Sequence, residues 1–575
     1  VNSDSCPQKL CGIHFGSVST NTMFSCIFRE DLEKVEERVT TNVDAQLSEF
    51  AGEENFPLNG AFHYQGEALG ETPFLPNKTR LEQSIIHAEV FPNDLTPSYV
   101  SYSTKPGSPL ILALEKNAID SPPVNELTLD LAAENYLEMQ TQFQVAPGDR
   151  DLMTYEQACR GKEGDSAYPA LRRVKSPGYP WTCERIPGTK LRGKQFWLGD
   201  GEWDFESPAA QELKKAVTLV EQQAAAGVVS EIIYTDTLKD ELRPLKKVYE
   251  KKTRVFSAAP MHYSIVMRKY FGGFIAHMNR NRIFNECAVG VNHASKEWTI
   301  MHDRMVSLGN AMFAGDFSNY DGTLNKYVLW KIVDIINRWY NDGSRNARIR
   351  TTLWHNIVHS RHIMAGGFVY TFTHGNPSGN PLTVIINSIY QSLIFRMAYI
   401  DNGGTASHFS EDVVLQCYGD DGFGAAHPRI RDWFSPAIIS KYFTSIGMNW
   451  TNESKGEQTN ELRPIEQITF LKRAFKYCEI THEWIAPLEL ASIGKMVNWV
   501  HKSPNPSGAC ADNCRDAIEE LGYYDQEFYE ECAGRIRTAL AAYQVEISVP
   551  DWRTLRELGA QSQRKALRDV GRPYM

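Results

Sequence analysis

The stretch that decides the fold runs from Gln416 to Gly424 and reads QCYGDDGFG. It follows a short apolar run, Val413 to Leu415, and its two aspartates are followed by two glycines within three residues. This pattern predicts a strand, a tight turn and a second strand. Because successive strand side chains point to opposite faces, only a turn lets both aspartates serve one site. Such a hairpin tip suits a hard divalent cation, although a solvated Asp-Asp-Gly turn is the alternative.

Composition sets the limits for any function. The chain has 575 residues, of which 42% are hydrophobic and 11% aromatic, which predicts a well-packed globular protein of about three or four domains. A net charge of −10 argues against a uniformly basic nucleic-acid coat, but it does not exclude a local basic channel. The 11 cysteines form no framework, as expected for reduced thiols in the cytosol. No apolar run reaches membrane-spanning length, so the sequence predicts no transmembrane segment of its own.

A second pair of carboxylates lies upstream, in the stretch AMFAGDFSNYDGTL from Ala311 to Leu324. Asp316 ends a predicted buried strand, and Asp321 lies near the start of a predicted helix from Leu324 to Tyr340. An aspartate in the first turn of a helix is also a common cap, which is the alternative for Asp321. Carboxylates from two strands can hold two metal ions about 3.5 to 4 Å apart, as nucleotidyl transfer requires.

Positive charge is concentrated in one segment of this acidic protein. Between residues 239 and 254 there are seven cationic side chains, interleaved with β-branched and aromatic residues: Lys239, Arg243, Lys246, Lys247, Lys251, Lys252 and Arg254. The segment predicts a hairpin-like basic finger that could bind a polyphosphate. A solvated charged face is the alternative.

Three further segments supply polar groups. Residues 374 to 383 read HGNPSGNPLT, a Gly/Pro loop before a predicted helix from Val384 to Ile400. Thr383 and Asn387 share one face of that helix, so their partner is a core hydrogen bond or a ribose hydroxyl. Lys455 follows in a loop after residue 447, and residues 468 to 475, ITFLKRAF, alternate as a strand with a basic centre.

Taken in order, these motifs resemble the RNA-dependent RNA polymerases of picorna-like positive-strand RNA viruses. The matching elements are KDELR at residues 239–243, D-x4-D at 316–321, SG-x3-T-x3-N at 378–387, YGDD at 418–421, and FLKR at 470–473. The resemblance covers roughly residues 50 to 480. The variant SGNPLT is similar to the dicistrovirus and iflavirus branch. Chance does not readily place so many motifs in one order.

The resemblance implies a role for each matching residue. Asp316, Asp420 and Asp421 are expected to be the catalytic, metal-binding carboxylates, with Asp316 and Asp420 as direct ligands and Asp421 tuning the site from its edge. Lys455 is expected to protonate the departing pyrophosphate. The residues expected to bind the nucleotide are Lys239, Arg243, Arg254, Asp321, Ser378, Thr383 and Asn387. Those expected to bind primer and RNA are Lys78, Arg80, Phe470, Leu471, Lys472 and Arg473. The implied cofactor is Mg²⁺, with Mn²⁺ as an alternative.

The fold implied by the resemblance is α+β, a closed right-hand polymerase with a ferredoxin-like palm sheet. The expected fingers are residues 47–270 together with 345–375, the palm 271–344 and 376–478, and the thumb 479–575. Residues 1–46 are expected to be the C-terminal tail of a preceding cysteine protease with its junction, because Gly12 to His14 resemble that enzyme.

The implied function is RNA-templated addition of nucleoside triphosphates to a primer 3′-hydroxyl, which replicates a positive-strand viral genome. Expected partners are template and product RNA, NTPs, a genome-linked protein primer and other viral replication proteins, at membrane-associated complexes in the host cytoplasm. One alternative is a reverse transcriptase, disfavoured by Gly419 and by Asp321 with Asn387, which suit a ribose 2′-hydroxyl. The other is a non-catalytic RNA-binding scaffold, disfavoured by the intact carboxylates and Lys455.

Overall fold

The computed structural model describes residues 58–557, apart from residues 59, 69, 74, 185–189 and 453–454. Before residue 58 it describes the backbone of short strands at Asn2–Ser3, Cys6–Leu10, Gly12–Val18, Asn21–Cys26 and Leu47–Ser48. Most of the predicted protease tail and junction, and the last residues of the predicted thumb, lie outside the described residues.

Helices contain more residues of the described structure than strands do. The longer ones are Glu126–Thr141, Pro208–Ala225, Met261–Arg280, Glu297–Met305, Lys326–Tyr340, Ser344–Val358, Thr383–Asp401, Pro436–Ser445, Leu490–Asn498, Pro506–Leu521 and Gln526–Ala542. Shorter helices are Pro109–Glu115, Tyr155–Arg160, Gln195–Leu198, Leu245–Tyr249, Tyr320–Thr323 and Phe409–Asp412. The helix predicted from Leu324 begins at Lys326, because the Asn325 side chain caps it by accepting the Tyr327 N–H.

A four-stranded antiparallel sheet carries the acidic motifs. Its strands, in spatial order, are Val413–Tyr418, Asp421–Ala426, Met312–Phe317 and Trp450–Thr451. In the chain, helices Lys326–Tyr340 and Thr383–Asp401 lie between strands Met312–Phe317 and Val413–Tyr418, and helix Pro436–Ser445 precedes strand Trp450–Thr451. This β-α-β-β-α-β order gives the ferredoxin-like sheet that was predicted. The predicted hairpin at Tyr418 to Asp421 is confirmed by the pairing of its two strands.

A second, six-stranded sheet combines distant parts of the chain. Its spatial order is Val255–Ala258, Ile233–Leu238, Arg361–Ile363, Phe368–Phe372, Phe62–Ala68 and Leu47–Ser48. It therefore joins residues before 270 to residues between 345 and 375, the two segments expected to form the fingers. The basic finger extends from its outer pair of strands.

The C-terminal helices form a core of their own. Helices Leu490–Asn498, Pro506–Leu521 and Gln526–Ala542 pack around Ile493, Ile518 and other buried apolar side chains. Strand Trp499–His501 pairs with strand Leu81–Gln83, so this helical region is tied directly to the N-terminal part of the chain. Across the described residues, no helix combines the length and the apolar character that crossing a membrane requires.

The prediction of a strand at residues 468 to 475 is wrong. Phe470 and Arg473 exchange backbone hydrogen bonds of 2.9 Å in both directions, which closes a tight turn. Leu471 and Lys472 occupy the turn with φ of 53° and 62°. Two left-handed residues at these positions match the turn type that suits the twist of a hairpin. The alternation in the sequence therefore reflects a turn with one buried aromatic residue and not an extended strand.

Candidate active site

The two carboxylates expected to hold metal come from neighbouring strands. Gly315 pairs with Gly422, so the next positions along the two strands bring Asp316 to the hairpin tip that carries Asp420. Paired strands lie about 4.8 Å apart. The Asp420 side chain is exposed, and that of Asp316 is 45% exposed. Both carboxylates are therefore open to one region of solvent above the end of the sheet.

Helix Thr383–Asp401 holds the hairpin tip from below. The Gly419 N–H donates to the Ser388 hydroxyl at 2.9 Å, and the Gln391 amide nitrogen donates to the Asp420 carbonyl at 3.2 Å. Gly419 has a φ of +65°, which a larger residue adopts only with strain. A Cβ on Gly422 would lie 2.4 Å from the Gln391 side-chain oxygen. Glycine is thus required at one position for the turn and at the other for a close approach.

Asp421 differs from Asp420 in its contacts. Its Oδ2 accepts the Leu471 N–H at 2.7 Å, which ties the hairpin to the tight turn at residues 470–473. One of its two oxygens is therefore engaged with protein backbone. The expectation that Asp421 acts from the edge of the site stays a prediction, and this contact supports it.

The donor set fits a hard divalent cation. Carboxylate oxygens are the ligands that Mg²⁺ prefers, and Mg²⁺ usually keeps several waters and substrate phosphates as its other ligands. In the part of the chain that the structure describes, no group of three His, Cys, Asp or Glu side chains could hold an ion by itself. Asp316 and Asp420 would therefore hold an ion together with water and a triphosphate.

Lys455 lies directly against Asp316. Its Nζ forms an ion pair with Asp316 Oδ2, and its backbone N–H donates to the Asn452 carbonyl at 2.9 Å. Burial lowers the pKa of Lys455, and the charge of Lys247 lowers it further, whereas the ion pair acts in the opposite direction. Since Lys247 belongs to the basic finger, the lysine loop and the finger lie close enough for their charges to interact.

The predicted basic finger is confirmed as a pair of strands with an insertion. Strand Ile233–Leu238 pairs antiparallel with strand Val255–Ala258, and the Lys239 N–H donates to the Arg254 carbonyl at 2.8 Å. Between them the chain forms strand Leu242–Pro244 and helix Leu245–Tyr249, which a plain hairpin would lack. Lys239 and Arg254 therefore lie opposite each other where the finger leaves the sheet.

One carboxylate organises all three predicted phosphate-binding cations. Glu241 accepts from Arg254 Nε at 2.6 Å and from Arg243 at 3.1 Å, and it lies 3.6 Å from Lys239 Nζ. Burial raises the pKa of Glu241, but the hydrogen bonds and charges of these cations outweigh burial and lower it. Glu241 therefore remains ionised and fixes three cations in one place.

Replacing Glu241 by glutamine is expected to raise the KM for the incoming nucleotide about tenfold, with a smaller effect on kcat. The change keeps the size of the side chain but removes the charge that orients the cations, and small misplacements of binding groups are costly. Steady-state kinetics over a range of ATP concentrations measure this. Glu250→Gln is the matched control, because Glu250 lies on the same finger and its ion pair, 2.8 Å long, is with exposed Lys252. Equal KM values for both variants and the unaltered protein would contradict the role of Glu241.

Asp321 and Asn387, which are predicted to bind the ribose, are in direct contact. The Asn387 Nδ2 donates to Asp321 Oδ1 at 2.5 Å. Burial raises the pKa of Asp321 from 3.8 to about 6; the charge of Asp420 adds to this, and the Asn387 hydrogen bond and Arg254 oppose it. The pKa of Arg254 is raised, first by its hydrogen bond to Glu241 and further by the charges of Asp420 and Asp321. The finger and both carboxylates therefore converge on one space.

Ser378 and Thr383 shape the loop before the helix. The Thr383 hydroxyl donates to the carbonyls of Asn380 at 3.0 Å and Pro377 at 3.2 Å. The Ser378 hydroxyl accepts the Ser257 N–H at 3.2 Å, so the loop is docked on strand Val255–Ala258 of the finger. In this structure both hydroxyls bind protein backbone, and Asn387 is the member of the predicted set that contacts Asp321.

The residues predicted to bind primer divide into two groups. Phe470 is buried against Phe423, with ring centroids 5.1 Å apart, and Arg473 donates to the Glu520 carboxylate at 2.7 and 2.9 Å. Leu471 is half-buried in the turn, whereas Lys472 is exposed and pairs with Glu489 at 2.7 Å. Beside this turn lies a cavity of about 380 Å³, lined by Gly290, Val291, His293, Trp298, Tyr418, Leu471 and Arg473. Phe470 and Arg473 therefore hold the turn in place next to an open cavity.

Lys78 and Arg80 lie at a different place. Asp240 of the basic finger accepts the Thr79 hydroxyl at 2.7 Å and the Arg80 N–H at 2.6 Å. The Arg80 carbonyl accepts the Lys502 N–H at 2.7 Å. The side chains of both predicted residues are exposed. They therefore flank the junction between the basic finger and the C-terminal helical region.

Several residues that shape the site were not predicted from the sequence. Ser388 and Gln391 act through hydrogen bonds to residues 31 and 29 positions away in the chain, whereas Glu241 lies only 2 and 13 positions from Arg243 and Arg254. Two more lysines border the finger. Burial lowers the pKa of Lys116, helped by the charge of Lys252, and burial lowers that of Lys495, helped by Lys472. For Glu241, the sequence feature that could have indicated its role is its position within KDELR, at residues 239–243.

The ferredoxin-like sheet, the paired carboxylates and the facing cations define a nucleotidyltransferase of the polymerase class. A family model described as viral RNA-dependent RNA polymerase matches residues 95–533. The chain belongs to this family and is an enzyme of that class.

The similar proteins agree with this assignment. The chain is 34% identical to the replicase polyproteins of Acute bee paralysis virus (strain Rothamsted) and Drosophila C virus (strain EB), over 80% and 78% of its length. It spans about a quarter of these relatives, 25% and 26%. These dicistroviral relatives confirm the predicted branch. The solved Sicinivirus 3Dpol RNA dependent RNA polymerase matches with a TM-score of 0.72 and 21% identity, covering 87% of this chain and 99% of that one. This likeness confirms the right-hand polymerase fold.

Proposed function

We propose that this chain copies an RNA template by adding ribonucleoside triphosphates to a primer 3′-hydroxyl, with Mg²⁺ or Mn²⁺ as cofactor. The observation that carries the proposal is the arrangement of Asp316 and Asp420, which lie side by side at the end of one sheet. Lys455 contacts Asp316, and Arg254 of the basic finger lies close enough to Asp420 and Asp321 for their charges to raise its pKa. This arrangement supports transfer of a nucleotide from a triphosphate.

Each part of the site has a task in this reaction. Asp316 and Asp420 would hold the cations, which when bound favour ionisation of the attacking hydroxyl and neutralise charge on the leaving group. Lys239, Arg243 and Arg254 bind the triphosphate through charge-assisted hydrogen bonds. Asp321 and Asn387 bind the ribose hydroxyls, which favours RNA synthesis over the reverse-transcriptase alternative.

The biological role follows from the relatives. Their polyproteins are named replicases, so we propose replication of a positive-strand viral RNA genome, with template, product RNA and NTPs as partners. A genome-linked protein primer and other viral replication proteins are further proposed partners, at membrane-associated complexes in the host cytoplasm. Lys78, Arg80, Leu471 and Lys472 are proposed to contact RNA.

Primer extension tests the proposal directly. The full chain is incubated with a primed RNA template, Mg²⁺ and either ATP or 2′-deoxy-ATP, with and without EDTA, and a shortened chain beginning near residue 47 is run beside it. Templated ATP incorporation that EDTA abolishes is the expected result. Preferred incorporation of 2′-deoxy-ATP would favour a reverse transcriptase, and RNA binding without incorporation would favour a scaffold.

Replacing Lys455 by methionine is expected to slow the chemical step about 100-fold without removing it, because general acid catalysis contributes about 10² to 10⁴. Single-turnover rates from pH 6 to 9 measure this. In the unaltered protein the rate should fall as pH rises through the pKa of Lys455, and the variant should lack this dependence. Lys441→Met, at an exposed position on helix Pro436–Ser445, is the control. An unchanged rate at every pH would dismiss the acid role.

A further inference from the structure

Three buried asparagines form a chain of hydrogen bonds that ends at Asp321. Asn380 donates through Nδ2 to Asn376 Oδ1 at 2.8 Å, and Asn376 donates through Nδ2 to Asn387 Oδ1 at 2.8 Å. Asn387 in turn donates through Nδ2 to Asp321 Oδ1 at 2.5 Å. The three amides are 4% to 6% exposed. Their hydrogen bonds therefore form in a nearly water-free environment, where an unmatched polar group is costly.

Backbone groups fix the donor-to-acceptor direction of this series of hydrogen bonds. A side-chain amide can present its oxygen or its nitrogen to a neighbour, and the surrounding hydrogen bonds decide which. The Leu382 N–H can only donate, and it contacts Asn380 Oδ1 at 2.9 Å. The Pro377 carbonyl can only accept, and it lies 2.8 Å from Asn380 Nδ2. The Asn380 amide therefore has one permitted orientation.

The orientation of the Asn380 amide fixes that of Asn376, which in turn fixes that of Asn387 against Asp321. Because Asn380 presents its amino group, Asn376 must present its oxygen to it and its amino group to Asn387. The Thr383 carbonyl, 3.3 Å from Asn376 Nδ2, requires the same orientation. Asn387 must then present its amino group to Asp321. A reversed Asn387 amide would place an oxygen against the Asp321 carboxylate, and two acceptors repel each other.

Asn376 is also docked on Asp321 through the main chain. Its N–H donates to the Asp321 carbonyl at 2.9 Å, and the neighbouring Gly375 N–H donates to the Leu324 carbonyl at 3.0 Å. The loop that carries Asn376 and Asn380, the first two members of this hydrogen-bond relay, is therefore fixed to the backbone of the short helix Tyr320–Thr323 and of the residue that follows it. In the sequence the relay corresponds to a repeated Gly-Asn-Pro, at residues 375–377 and 379–381.

We propose that Asn376 is a positioning residue for ribose selection, which fixes the Asn387 amide so that the Asp321–Asn387 pair discriminates between a 2′-hydroxyl and a 2′-hydrogen. This inference rests on the proposed polymerase function. Asn376 acts through Asn387 and contacts no reacting atom. Its expected signature is a change in nucleotide preference, which a purely structural role would not produce.

Replacing Asn376 by aspartate is the sharpest test, since the two residues have the same shape. An aspartate at 376 can still accept from Asn380, but it cannot donate to Asn387 and attracts the Asn387 amino group to itself. The ratio of kcat/KM for ATP to kcat/KM for 2′-deoxy-ATP is expected to fall about tenfold, mainly through a higher KM for ATP. The value for 2′-deoxy-ATP is expected to change little. Asn376→Leu, which removes the hydrogen bond without reversing it, should lower the ratio less.

Two comparisons decide the outcome. Asn341→Asp adds the same charge at an exposed position after helix Lys326–Tyr340 and should leave the ratio unchanged. An equal loss for ATP and 2′-deoxy-ATP in Asn376→Asp, or an unchanged ratio, would overturn the relay while leaving the polymerase proposal intact. If thermal unfolding shows that the aspartate variant does not fold, an unchanged ratio in Asn376→Leu overturns it instead. Absence of ATP incorporation by the unaltered protein would refute the polymerase function itself.

Discussion

Replacing Asp420 by asparagine is expected to reduce nucleotide incorporation at least about 1000-fold, which corresponds to about 4 kcal/mol of activation free energy. Asparagine has the same size but lacks the charge that holds a divalent cation. The hairpin itself should keep its shape, because Gln391 contacts the backbone carbonyl of Asp420 and Ser388 contacts the backbone of Gly419. Single-turnover primer extension over a range of Mg²⁺ concentrations measures the loss.

RNA affinity should remain largely unchanged in the same variant, because cationic side chains elsewhere supply the phosphate contacts. Fluorescence anisotropy with a labelled primer-template measures it. Asp432→Asn, an identical change at an exposed position, serves as the control and should behave as the unaltered protein. Normal turnover by purified Asp420→Asn protein would refute its assignment as a metal ligand.

The sequence predicts the acidic hairpin and the strand before Asp316 well, because both depend on local patterns. Alternation, turn residues and the helix caps act within a few positions of each other. The strands Val413–Tyr418 and Met312–Phe317 accordingly lie where the motifs place them. The spacing of the motifs then indicates a known family, and the sheet order follows from that resemblance.

The contacts that organise the site could not be predicted in this way. Asp321 and Asn387 are separated by 66 positions, and Asp421 and Leu471 by 50. Whether such pairs meet depends on how sheet, helix and loop pack together, which no local pattern reports. The prediction of a strand at residues 468 to 475, where the structure has a tight turn, failed for a related reason. The alternating apolar residues suggested a strand, whereas Phe470 is drawn into the core beside Phe423 and the turn closes around it.

The proposed ribose selectivity has an expected cost in stability at Asp321. Its carboxyl has a pKa of about 6 in the folded protein, raised from 3.8 chiefly by burial. Well below pH 3.8 the group is protonated in both folded and unfolded states and costs nothing. As pH rises toward 6 the unfolded state releases the proton first, so the folded protein loses stability across this range. Above pH 6 the penalty is complete.

Replacing Asp321 by asparagine should therefore stabilise the protein by about 2 kcal/mol at pH 8 and by less than about 0.5 kcal/mol at pH 4, allowing for partial solvent screening. Urea unfolding of both proteins at each pH measures this. The same change should lower the preference for ATP over 2′-deoxy-ATP about 1000-fold, since the site loses the charged acceptor for the 2′-hydroxyl. The Asn387 amide would still find an oxygen at position 321, so the loop should keep its structure. Equal stabilisation at pH 4 and pH 8, or an unchanged preference, would contradict a buried carboxylate maintained for ribose recognition.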